Sequence, residues 1–160
     1  MTEVRTGAGY VLSLGDGHAI RFLETLMTVK AGAQETGGAF TLLEWTAPAG
    51  FAPPPHTHHA EDEAFFILEG AITVTCGDRS WEAGPGAFVF LPRGVIHGFK
   101  VTSDTPLRGL QLTVPGGFER FITEAGESPQ APASAAPDIE KLLTAAAKNQ
   151  IEIHLPAKGQ

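Results

Sequence analysis

Short β-rich segments recur along the chain with glycine or proline between them. Residues 10–14, 19–23, 26–30, 39–46, 64–68, 72–76, 87–91, 97–102 and 107–114 have the composition of strands. Several are closed by strong breakers, namely Gly15-Asp16-Gly17, Gly37-Gly38, Pro48-Ala49-Gly50, Gly77-Asp78 and Gly84-Pro85-Gly86. No helical period interrupts them before Gly116. The pattern predicts an all-β antiparallel sandwich or small barrel.

After Pro115 the character changes. Gly117-Phe118-Glu119-Arg120-Phe121-Ile122 begins a short amphipathic helix, and residues 128–137 form an Ala/Pro/Ser stretch with little to bury. Asp138 is suited to cap a second helix, in which Ile139, Leu142, Leu143 and Ala146 fall at helical spacing. Asn149 is suited to end it in the left-handed region, after which Ile151, Ile153 and Leu155 alternate. We therefore divide the chain into a single barrel domain over 1–127, and a linker with a C-terminal helix and short strand over 128–160. That tail can pack on the barrel, pack on a partner subunit, or lie over the barrel mouth. Its apolar face favours packing.

The length of 160 residues suits one main core, and 42% hydrophobic with 18% charged residues suits a globular chain. The net charge of −7, without any basic run, disfavours a nucleic-acid partner. Neither a basic, apolar leader nor a membrane-length apolar run is present, so a soluble cytoplasmic protein with no membrane partner is expected. The lone Cys76 has no partner for an internal disulfide or thiolate metal site and reads as a small half-buried strand residue.

Three of the six histidines stand close together in Pro53-Pro54-Pro55-His56-Thr57-His58-His59, followed by Glu61-Asp62-Glu63. In an extended chain His56 and His58 share a face and His59 points away. Glu63 shares the inward face of the next strand with Phe65 and Ile67, where a carboxylate is costly to bury without a cation or several donors. Glu61 has the same parity but falls in the expected turn, so Glu61 and Asp62 are placed on the surface. His97 follows the tight turn at Pro92-Arg93-Gly94 and shares a face with Phe99. Three imidazoles and a carboxylate would suit one divalent transition metal per chain, Fe, Mn, Ni, Co or Zn, with one or two coordination positions open for water, substrate or dioxygen.

These residues resemble the cupin superfamily. Its first motif, G-x5-H-x-H-x4-E-x6-G, is matched by Gly50, His56, His58, Glu63 and Gly70, and its second, G-x5-P-x-G-x2-H-x3-N, by Gly86, Pro92, Gly94 and His97, with Val101 in place of the final Asn. Residues 39–123 further resemble the quercetin 2,3-dioxygenase-like monocupins, through Gly37-Gly38-Ala39-Phe40, Glu61 to Phe65, Gly84-Pro85-Gly86 and Pro115 to Glu119. The resemblance implies a double-stranded β-helix, or jelly-roll, barrel with metal ligands His56, His58, Glu63 and His97. It also implies a metal-dependent dioxygenase of a flavonol-like or phenolic or enolic polyketide substrate, in which Glu63 is the catalytic base. The alternatives are a non-oxygenative cupin metalloenzyme, an isomerase, cyclase or decarboxylase, and a small-molecule binding cupin. The same four residues could also be vestiges in a barrel without metal.

Strand parity makes Phe65, Ile67 and Phe99 the candidate substrate-binding residues. Phe40, Phe88, Phe90, Leu110 and Leu112 read by default as core. Trp45 and Trp81 read as packing or subunit-contact residues, His59 as a neighbour of the site or a surface residue, and His18 and His154 as solvent-facing. An apolar outer face on residues 64–68, together with the tail, points to a homodimer.

Overall fold

The computed structural model describes residues 7–132 and 136–157. The chain runs through β1 (His18–Phe22), β2 (Thr25–Ala31), α1 (Ala33–Thr36), β3 (Thr41–Ala47), β4 (His56–His58), β5 (Asp62–Glu69), β6 (Ile72–Cys76), β7 (Arg79–Ala83), β8 (Phe88–Leu91), β9 (His97–Val101) and β10 (Leu107–Val114). It ends with α2 (Phe118–Ala125), α3 (Ile139–Lys148) and β11 (Ile151–Ile153). All strand pairs are antiparallel, in two sheets ordered β1-β2-β3-β10-β5-β8 and β11-β4-β9-β6-β7. The fold is mostly β with short C-terminal helices. No helix among the described residues is long and apolar enough to cross a membrane.

The core lies between the sheets. Leu43, Trp45, Phe65, Ile67 and Leu107 enter from the larger sheet and Ile72, Val74 and Val101 from the smaller, each exposed by 3% or less. Val101, which stands where the second motif has Asn, fills the core and keeps β9 extended, its N–H donating to the Phe51 carbonyl at 2.9 Å.

Several expectations are corrected. Residues 10–14 form no strand: the Tyr10 hydroxyl donates to the Lys30 carbonyl, and the Lys30 ammonium gathers the Ser13 and Asp16 carbonyls and the Glu44 carboxylate, so this segment is tied to β2 and β3 by side chains and not by a ladder. The four-residue α1 interrupts the strands before Gly116; Glu35 folds back onto the Gly32 N–H to start it, and Gly37, at φ 64°, ends it. Strand β7 is not among the expected strands: only Ala83 of Arg79–Ala83 is buried, so the segment lacks an apolar face. It is a hairpin partner of β6 through a turn at Gly77-Asp78, where Gly77 takes φ 59°.

Phe40, Phe88 and Phe90 are not core. Each is at least 36% exposed, and Leu110 and Leu112 are only half-buried, because Val89 and Leu91 of β8, and Leu107, Gly109, Gln111 and Thr113 of β10, take the inward positions.

In the tail, the Asp138 carboxylate accepts from the Lys141 N–H at 3.0 Å and caps α3. The left-handed residue after α3 is Gln150, at φ 59°, and not Asn149; the Asn149 side chain donates back to the Ala145 carbonyl and holds its own backbone near the helical region. Gln150 then turns the chain so that its carbonyl accepts from the His59 N–H. Strand β11 pairs with β4, setting Ile151 opposite His58 and Ile153 opposite His56. Helix α3 buries Leu142, Ala145 and Ala146.

Candidate metal centre

Pro53, Pro54 and Pro55 hold the backbone extended on the approach to β4, which aims His56 and His58 into the space between the sheets. His97 opens β9 directly opposite His56 in the ladder. It is delivered there by the Pro92 to Gly94 turn, where Gly94 takes φ 78° and donates its N–H to the His58 carbonyl at 2.8 Å. Glu63 comes from β5 in the other sheet. One potential ligand atom from each of the four residues falls within 4.8 Å of all the others.

Hydrogen bonds set the tautomers of two imidazoles. His56 Nδ1 lies 3.0 Å from the Pro54 carbonyl and His58 Nδ1 lies 2.8 Å from Glu61 Oε1, and both partners are acceptors. Each Nδ1 therefore carries the proton, and each Nε2 turns a lone pair toward the cluster. Glu63 Oε2 lies 2.8 Å from His97 Nε2 and 3.3 Å from His58 Nε2. Neither contact has hydrogen-bond geometry, so these three atoms are buried without a hydrogen-bond partner. Converging ring nitrogens and a carboxylate oxygen, sealed from water and unpaired, fit a divalent cation.

Burial lowers the His56 pKa to about 4, keeping the ring neutral as a metal ligand must be. For Glu63, burial works against ionisation, but the facing His58 and His97 rings outweigh it and hold the carboxyl at about 2. Burial likewise disfavours a charged His58, yet Glu63 and Glu61 outweigh it and raise its pKa, so a metal ion binding at Nε2 would displace a proton from this ring.

The four ligands predicted from the motifs are brought together. His59 points away, to Glu152, and His154 meets the Thr57 hydroxyl. His18 is exposed. Glu61 corrects the sequence reading: it is 7% exposed and orients His58, while Asp62 alone of that pair faces outward, to Arg93. The signal was its parity with Glu63, overridden by its position in the turn.

Above the cluster lies a cavity of about 60 Å³ lined chiefly by apolar and aromatic side chains. That is room for roughly two waters at the ~30 Å³ each takes in the liquid. Phe65 and Phe99 line it, in contact with Trp45 at ring-centroid separations of 5.3 and 5.2 Å. Ile67 is fully buried and is not part of the wall. The tail contributes Leu142, Ile151 and Ile153, and α2 contributes Phe121 and Phe118, whose ring lies 5.5 Å from that of His58. The cavity wall is thus completed by segments that follow the barrel in sequence.

A family model described as a cupin domain matches residues 43–115, the stretch that carries all four ligands. The chain is a cupin. It is 30% identical over 129 residues to quercetin 2,3-dioxygenase of Bacillus subtilis (strain 168), covering 79% of this chain and 38% of that one. It is 37% identical over 109 residues to germin-like protein 3-1 of Oryza sativa subsp. japonica, covering 58% and 46%. The chain thus spans less than half the length of either curated relative. Among solved structures, the polyketide cyclase RemF from Streptomyces resistomycificus is similar at a TM-score of 0.58 and 26% identity, over 67% of this cupin and 80% of that chain.

Proposed function

We propose that this cupin is a metal-dependent dioxygenase that acts on a flavonol-like or other phenolic or enolic ring. The observation that carries the reading is the set of unpaired ring nitrogens and carboxylate oxygen on His58, His97 and Glu63 at the end of an aromatic-lined cavity. A divalent ion held by His56, His58, Glu63 and His97 would supply a Lewis acid that lowers the pKa of a substrate hydroxyl. Glu63, tilted from the ion, takes the hydroxyl proton as general base. Phe65, Phe99 and Trp45 clasp the ring and exclude water from it. Similarity to quercetin 2,3-dioxygenase supports dioxygen as the second substrate.

At about 60 Å³ the cavity is smaller than the ~150 Å³ that holds a benzene ring, so a ring is admitted by movement of the α2 and tail side chains that complete its wall. A cyclase that consumes no dioxygen is the second reading, favoured by the likeness to the polyketide cyclase.

Dioxygen consumption by the metal-loaded protein, followed with quercetin and single-ring phenols, tests the proposal. Substrate-dependent uptake is expected. Substrate conversion without uptake would move the assignment to the cyclase reading, and full turnover by a metal-retaining Glu63→Gln variant would remove Glu63 as the base.

A further inference from the structure

Gln111 stands in the middle of β10, opposite Leu43 of β3 and Phe65 of β5. It shares the inward face with Thr113, whose ladder partner is Glu63. The residue is 4% exposed and lines the same cavity as His56, His58 and Glu63. Its Nε2 is buried and has no hydrogen-bond partner. The cavity wall is mostly aromatic, with Trp45, Phe51, Phe65 and Phe99, and its polar members, Thr25, His56, His58 and Glu63, make no hydrogen bond to that amide. A second unpartnered donor, Trp45 Nε1, is turned toward Gly109, where a Cβ would lie 3.5 Å from it. Thr113 Oγ1 and the His97 ring nitrogens are also unpaired but do not line the cavity, so among the described residues Gln111 is the unpaired amide donor of its wall. Leucine would fill its place with no polar group to desolvate, so the amide brings the fold no stability that an apolar side chain would lack.

We propose that Gln111 determines specificity by donating a hydrogen bond from Nε2 to an oxygen acceptor on the substrate. This rests on the phenolic or enolic reading of the site and narrows its class. Two residues along a strand, about 6–7 Å, separate Gln111 from the level of Thr113 and Glu63. That is roughly the span of one substituted ring. The substrate then carries two oxygens: an ionisable hydroxyl that meets the four-residue cluster, and a carbonyl-type acceptor toward Gln111, with the ring body held by Phe65 and Phe99. Phenols lacking the second oxygen leave the amide unpaired and bind more weakly.

The test compares wild type with Gln111→Leu, both metal-loaded. Without ligand, the variant is expected to melt at the same temperature as wild type or about 2–4 °C higher. A lower melting temperature would mean that the amide serves the fold, and would overturn the inference. Binding is then measured by calorimetry without dioxygen, using 4-hydroxyacetophenone and 4-isopropylphenol, which match in heavy-atom count and differ by a methyl in place of the carbonyl oxygen. The wild-type preference for the ketone is expected to shrink about tenfold in Gln111→Leu. An unchanged preference, or no binding of either phenol to wild type, overturns the inference. Gln111-dependent binding without dioxygen uptake on any ligand would leave the inference standing and remove the dioxygenase. Uptake whose substrate preference ignores Gln111→Leu would do the reverse.

Discussion

The two faces of the β8-β5-β10 ladder differ in a direction opposite to the usual one. Its inward face carries Glu63, Gln111 and Thr113 among Phe65, Ile67 and Leu91, whereas its outward face carries Phe66, Leu68, Phe88 and Phe90. The polar residues are sealed, with Glu63 3%, Gln111 4% and Thr113 1% exposed, while the outward phenylalanines are 42%, 68% and 55% exposed. Polar groups are buried where a ligand cluster and a cavity need them. Apolar groups are exposed on the opposite face, where a further protein surface would be needed to cover them. Hydrophobicity alone thus assigns this ladder the wrong inner face at β8 and β10.

The largest expected effect comes from cutting the same residue type on the two faces. Phe65→Ala should destabilise by about 3–5 kcal/mol, because it leaves a void between Trp45 and Phe99, whereas Phe66→Ala, one residue along, should remain under about 1 kcal/mol. Urea denaturation of both variants checks this, and equal losses would mean that the outer face is also packed. A smaller effect is expected from the inner polar shell. Glu61→Ala removes the acceptor that fixes His58 and should weaken metal affinity about 10–100-fold, read by competition with a chelator. Unchanged affinity would reduce Glu61 to a bystander. The smallest change in the stability of the isolated chain is expected for Phe88→Ser with Phe90→Ser, about 0.5 kcal/mol or less. The homodimer expectation rests on the outer face of residues 64–68 together with the tail; the tail strand pairs with β4 in the other sheet, and we propose that Phe88 and Phe90 extend the 64–68 face instead. Light scattering should give twice the 16.8 kDa chain mass for wild type and the single mass for the double variant. A wild-type monomer would reject it.

The candidate ligands were legible because their spacing is local and rigid: the proline run and alternation aim His56 and His58 together, and Pro92 with Gly94 returns His97. Most strands were legible from their apolar periods. The face of β10 was not, because Leu110 and Leu112 are more apolar than the Gln111 and Thr113 that point inward, and a shift of one residue exchanges the faces. Strand β7 was hidden because an edge strand with one buried residue needs no apolar period. The role of the tail was open for a different reason. Pairing of β11 with β4 joins residues about ninety positions apart, and only the folded barrel brings Ile151 to the ligand strand.

The central claim is that His56, His58, Glu63 and His97 hold one divalent metal ion, and elemental mass spectrometry of the protein purified without chelator tests it most directly. Wild type should carry close to one transition-metal ion per chain, directly or after reconstitution, and Glu63→Ala with His97→Ala should carry almost none. Wild type that stays metal-free after reconstitution, or a double variant that loads as fully as wild type, would contradict the account.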